Sequence, residues 1–144
     1  IFPYRLGILK HKEGNDKEAI EYLQKAVTLQ PDDPDVYNYL GYLWVDSGNR
    51  LEEAEPLLEK ALQMAPEQPH IIDSMGWLYY KKGQLDKALE LLEKAVKISP
   101  DDPDILEHTG EVYSAMKNHE KAREYLEKSL KLKPGNKVKK LNLK

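Results

Sequence analysis

A chain of 144 residues has the length of one domain or one short repeat array. Hydrophobic residues at 40% and charged residues at 33% give enough apolar material for a core and exclude a disordered chain. A net charge of −3 gives no global attraction to nucleic acid, zero cysteine excludes disulfides and thiol chemistry, and no apolar run approaches the ~20 residues of a membrane helix.

Three ladders run through the chain in one register. Gly7, Gly41, Gly76 and Gly110 are spaced 34, 35 and 34 apart; Ala19, Ala54, Ala88 and Ala122 follow at 35, 34 and 34; Pro31, Pro66, Pro100 and Pro134 keep the same beat. The first unit, about residues 1–33, opens directly on a helix at Ile1-Phe2-Pro3, without Met or a signal-like run, so the chain reads as a fragment preceded by further repeats or another domain. The second unit, about 34–68, starts at Asp33-Pro34, an N-cap acid followed by a proline at the first helical position. Its buried stripe is Tyr37, Leu40, Gly41 and Trp44. This unit is one residue longer than its neighbours, with the extra residue near Asn49–Leu51, and Pro56 falls inside its second helical run. An interior proline costs about 3 kcal/mol, so the extra residue is expected to delay the helix and leave Pro56 near its start or at a kink.

The third unit, about 69–102, shows Ile72, Met75, Gly76 and Tyr79 on one helical face, a break at Gly83, then a second stripe of Leu85, Ala88, Leu89, Leu92, Ala95 and Val96 ended by Pro100. Asp102-Pro103 opens the fourth unit, about 103–134. Residues 135–144 form a short basic tail or partial capping helix, with Val138, Leu141 and Leu143 as its only apolar residues. No alternating strand pattern occurs anywhere. The glycines of each first helix are expected to let the alanines Ala54, Ala88 and Ala122 of the second approach closely, beside Trp44, Tyr79 and Tyr113.

The pattern Leu40-Gly41…Trp44…Ala54…Leu58…Ala61…Pro66, repeated as Met75-Gly76…Tyr79…Ala88…Leu92…Ala95…Pro100, resembles the tetratricopeptide repeat over residues 1–134. The departures lie in the outer units: Lys10 for an aromatic, Thr109 for Leu, Lys117 for the mid-repeat Gly and Ser129 for the late Ala. The resemblance implies an all-α fold, a right-handed α-solenoid of four helix–turn–helix units with the first helices lining a concave groove. Gly48 to Ala54 and Asp73 to Trp77 also look like the last repeats of large bacterial proteins of this family, which points to a bacterial cytoplasm or cell envelope.

Catalytic chemistry finds little support. There is no cysteine nucleophile, phosphate loop, HExxH or GxSxG, so no enzyme activity, cofactor or metal is expected. His70 with Asp73, and His108 with Glu111, Asp104 and Glu107, share helical faces, but no closed ligand set is visible and a solvated acidic stripe is the simpler reading. The tail lysines Lys131, Lys133, Lys137, Lys139, Lys140 and Lys144 have no interleaved aromatic, so neither nucleic-acid binding nor membrane insertion is expected.

A second stripe on each first helix is the most informative feature. It holds Ile1, Tyr4, Ile8, His11 and Lys12 in unit one; Asp35, Asn38, Tyr42, Val45 and Asp46 in unit two; His70, Asp73, Trp77, Tyr80 and Lys81 in unit three; and Asp104, Glu107, Glu111 and Ser114 in unit four. Tyr39, Ser74 and His108 sit at its margin. A core needs only the first stripe, so Tyr42, Trp77 and Tyr80 are spare aromatics, expected in the groove as anchors, with Asp73, Glu107 and Glu111 reading charge. The expected ligand is a peptide or helix of a partner protein with apolar anchors and basic residues, held by Tyr4, Asp35, Asn38, Tyr42, Asp73, Trp77, Tyr80, Glu107 and Glu111. The family's carboxylate clamp uses Lys and Asn on one first helix, Asn on the next, and Lys and Arg on the third. At those positions this chain has Tyr4 and Ile8, then Tyr39, then His70 and Ser74. Shifted by one unit, it has Asn38 and Tyr42, then Ser74, then Asp104 and His108. Neither register supplies the cations, so an acidic C-terminal tail is not the expected ligand. Two other readings are a structural segment of a longer array or a module that self-associates through its repeat ends, with no ligand of its own, and a metal enzyme built on His70 or His108.

Overall fold

The computed structural model describes residues 2–134; Ile1 and the lysine-rich segment 135–144 lie outside the described residues. Eight α-helices and no strand occur among them: α1 (Pro3–Lys12), α2 (Asp16–Leu29), α3 (Pro34–Ser47), α4 (Leu51–Met64), α5 (Pro69–Lys81), α6 (Leu85–Ile98), α7 (Pro103–Ala115) and α8 (His119–Leu132). They group into two compact units, Ile1–Pro66 and Glu67–Lys144. In the first, α1 pairs with α2, α2 touches α3, and α3 pairs with α4. In the second, α5 pairs with α6 and α7 with α8, while α7 packs against both α6 and α5.

Local chemistry sets the helix ends. Every first helix begins with proline, at Pro3, Pro34, Pro69 and Pro103, where its missing N–H costs no bond. The Asp33 carboxylate accepts from the Asp35 N–H, and Asp102 accepts from Asp104 and Ile105. Asn15 and Asn118 do the same for α2 and α8. The turn inside each pair uses a left-handed residue: Gly14 (φ 83°), Gly48 (φ 75°), Gly83 (φ 82°) and, in the fourth pair, Lys117 (φ 67°). Lys117 therefore takes the conformation its glycine counterparts take, with a side chain that opposes it.

The glycine ladder brings the second helix close, and a leucine joins the alanine at each contact. A Cβ on Gly76 would lie 2.9 Å from Leu92 Cγ, and the equivalent distances are 2.7 Å for Gly7 to Leu23, 2.8 Å for Gly41 to Leu58 and 2.6 Å for Gly110 to Leu126. The alanine backbone carbonyls lie 3.3–3.5 Å from the same positions. A leucine side chain, not an alanine methyl, fills the space that each glycine vacates. Leu23, Leu58 and Leu92 are wholly buried as a result.

The extra residue of the second pair does delay its helix. α4 starts three residues after Gly48, whereas α2, α6 and α8 start two residues after Gly14, Gly83 and Lys117. Pro56 nevertheless falls in the second turn of a helix that runs Leu51–Met64 as one element, not in the first turn. Pro56 is exposed, and so is Glu52, the residue four positions before it whose carbonyl has no Pro56 N–H to accept from. In the second unit, the Tyr113 phenol donates to Glu93 of α6 and stacks on Tyr125 of α8 at 5.5 Å, tying α7 to both neighbours.

Two substitutions check this account. Lys117→Gly should raise stability by about 1 kcal/mol in urea denaturation, by removing the cost of a side chain in the left-handed region. Gly76→Ala should lower it, because overpacking of roughly 1–3 kcal/mol outweighs the gain of about 1 kcal/mol in helix propensity. Adding Leu92→Ala should then cost less than the two single changes summed.

Candidate partner-binding faces

The second stripe of each first helix can be followed within each unit. In the first unit, Tyr4 of α1 meets Tyr39 of α3 edge-on at 6.1 Å, and His11 meets the same ring at 5.9 Å while its Nδ1 lies 2.8 Å from Asp16 Oδ1. Burial, then the charges of Asp35 and Asp33, push the Tyr4 phenol up to about 12. Tyr4 and Tyr42 are half-buried and Asp35 is exposed. Asn38 is only 8% exposed, and its Oδ1 accepts no hydrogen bond. Val45, placed on this stripe by its spacing, is wholly buried and belongs to the core.

In the second unit the expected exposure of Asp73 and Trp77 is not what the structure has. Asp73 is 7% exposed and Trp77 8% exposed. The Asp73 carboxylate of α5 lies 2.7 Å from Nδ1 of His108, on α7. The His108 ring stacks on Trp77 at 4.0 Å, and Tyr80 stacks on the same indole at 4.5 Å. Lys81 Nζ lies 5.5 Å from that ring. Trp77 is therefore part of the α5–α7 packing, and Asp73 is answered from inside the protein instead of reading charge outside it. Periodicity within α5 could not show this, because α7 is what covers the stripe.

The remaining acids are differently placed. Glu107 and Glu111 are half-buried on α7, and Asp104 is exposed with Lys133 Nζ at 3.6 Å. Burial, then the charge of Glu111, push the half-buried Tyr80 phenol up. His70 is exposed, and its carbonyl accepts from Ser74 Oγ at 3.1 Å. The negative rim of the second unit thus lies on α7, with Tyr80 of α5 beside it.

His108 is the residue that sequence reasoning placed only at the margin. Burial pulls its imidazole down, but the Asp73 carboxylate and the hydrogen bond to it, with Glu107 and Asp104 behind, lift it above its ordinary value. Burial pushes the Asp73 carboxyl up against the pull of His108. The available signal was a histidine one place beyond a full repeat from an aspartate, 35 residues away. Among the described residues no group of three or more His, Cys, Asp or Glu side chains is placed to hold a metal ion, and no helix is long and apolar enough to cross a membrane.

A profile described as TPR repeat matches residues 7–48 and 76–117, and a second, described as tetratricopeptide repeat, matches residues 104–136. No curated protein matches the chain. Among solved structures, it is similar to TTC0263, a thermophilic TPR protein of Thermus thermophilus, with 21% identity over 94% of this chain and 75% of that one and a TM-score of 0.86. It is also similar to PilF of Pseudomonas aeruginosa, with 25% identity over 93% and 61% of the two chains and a TM-score of 0.74. A third similarity is to the structure of the APC/C hetero-tetramer Cut9–Hcn1, with 24% identity, 94% and 27% coverage and a TM-score of 0.78.

The buried pair and the rim should respond differently to mutation. Asp73→Ala leaves an imidazole buried without its counter-charge and should cost about 3 kcal/mol. Asp104→Ala removes one exposed ion-pair partner and should cost less than about 1 kcal/mol. Thermal unfolding of the two variants separates these outcomes.

Proposed function

Because the chain belongs to the tetratricopeptide repeat family, we propose that it is a non-enzymatic scaffold whose first-helix faces bind a peptide or helix of a partner protein. Repeats of this family form a protein-interaction scaffold, and the two faces described above supply the chemistry for such binding. In the first unit the contacts are Tyr4, Asp35 and Tyr42, with the buried Asn38 as a support like Trp77. In the second they are Tyr80, Glu107 and Glu111, with Trp77 and Asp73 lying beneath as supports.

The observation that carries the reading is the α7 rim. Glu107 and Glu111 keep partial access to solvent beside the half-buried Tyr80 ring, while the buried Asp73 carboxylate is matched by His108. Acids next to an amphipathic aromatic favour a ligand with lysine or arginine and apolar anchors. The partly exposed tyrosine supplies area at low entropic cost, and the carboxylates supply orientation and encounter rate.

Self-association is the second reading. Phe2, just before α1, is 74% exposed, Leu9 on α1 is 46% exposed, and Leu132 is 45% exposed at the end of α8. Apolar groups left open in this way suit contact with another copy of the chain. Sedimentation at rising concentration distinguishes the readings, since only self-association raises the mass in the absence of ligand.

The binding reading is tested with short synthetic peptides followed by fluorescence anisotropy. A lysine–leucine–tryptophan peptide should bind more tightly than its glutamate counterpart, and raising salt should weaken it. Glu107→Gln with Glu111→Gln should weaken it about tenfold, about 0.5–1 kcal/mol for each charge. Equal binding of the acidic peptide, or an unchanged affinity in the double variant, would contradict the assignment.

A further inference from the structure

We propose that Asp73 and His108 form a proton-linked lock between α5 and α7, so that the second unit is held most firmly while the imidazole carries its proton and loosens when that proton leaves. This goes beyond peptide binding and does not depend on any ligand. The geometry has three parts. The Nδ1–Oδ1 contact is 2.7 Å and joins residues 35 apart, so it ties one repeat to the next instead of serving its own helix. Both side chains are 9% exposed, so water can do little to replace either partner. The imidazole lies 4.0 Å from the Trp77 ring, a stack that gains strength when the imidazole is a cation.

The surrounding charges favour that cation. α7 itself contributes Asp104, Glu107 and Glu111, and the turn before it Asp102. α5 contributes Asp73, the exposed His70 and Lys81, whose Nζ lies 5.5 Å from the Trp77 ring. From α6, Glu93 accepts from Tyr113, and Lys133, after α8, sits 3.6 Å from Asp104. Acids outnumber bases around the imidazole, and one of them touches it.

The direction of the pH effect follows from linkage. His108 is held above 6.5 in the folded protein, so above pH 6.5 the folded chain keeps a proton that the unfolded chain has released. Its contribution to stability is complete below pH 6.5 and is lost as pH rises through the folded value. Asp73, raised above 3.8 by burial, acts with the same sign over its own window. Above both windows an ionised carboxylate is buried beside a neutral imidazole, the least favourable state of the pair.

The experiment is a pH titration of the full chain, read in two ways. NMR of the histidine side chains, with His108 assigned by comparison with His108→Gln, should show His108 titrating above 6.5 in the wild type and at or below 6.5 in Asp73→Asn. Urea midpoints between pH 6 and pH 9 should fall in the wild type and stay nearly level in His108→Gln, the other three histidines being common to both. A His108 that titrates at or below 6.5 in the wild type, or an equal fall of the midpoint in both proteins, overturns the proposal. If His108→Gln does not fold, the wild-type and Asp73→Asn titrations decide it.

Discussion

Each helix pair closes on a glycine that faces a leucine. A Cβ on any of Gly7, Gly41, Gly76 or Gly110 would meet Leu23, Leu58, Leu92 or Leu126 at under 3.0 Å, so the separation of the two helices is set by the missing methyl. Everything else in the pair follows from that distance. The alanines of the second helix reach the first through their carbonyls, the leucines become wholly or nearly wholly buried, and the large aromatic residues of the first helix are left to fill space to either side. Once the pair is closed, the stripe of the first helix that faces away from its partner must either meet the next repeat or meet solvent.

The second unit shows how that choice is made. α7 covers much of the α5 stripe, and the polar groups buried there are matched: Asp73 by His108, and the indole of Trp77 by the rings of His108 and Tyr80. What remains accessible belongs to the later helix, on Glu107 and Glu111, and to Tyr80 at the edge. The buried Asp73–His108 contact and the acidic rim are thus separate features: the first joins one repeat to the next, and the second is the surface we propose for a partner.

The helix pairs were legible in the sequence because the same chemistry recurs every 34 or 35 residues: proline at the first helical position, an acid before it at Asp33 and Asp102, and glycine in the turn. Lys117 stood out as a departure, and its positive φ shows that the turn geometry is kept without the residue that favours it. The delayed start of α4 was also readable, while the tolerance of Pro56 in the second turn was not, because periodicity does not show that Pro56 and Glu52 lie on the exposed side of α4. The binding face was less legible. Helical spacing assigns a residue to a stripe of its own helix but says nothing about which stripe the following repeat covers. Trp77 and Asp73 were therefore expected at the surface, and the His108–Asp73 contact, formed across a whole repeat, was missed.

The central claim is that ligands meet the first helices and not the second. Two-dimensional NMR of the labelled chain, titrated with a lysine-rich amphipathic peptide, tests it most directly. The account predicts shifts concentrated on α5 and α7, with Tyr80, Glu107 and Glu111 among the largest, or on α1 and α3 around Tyr4 and Tyr42. Shifts confined to α6 and α8 would contradict it.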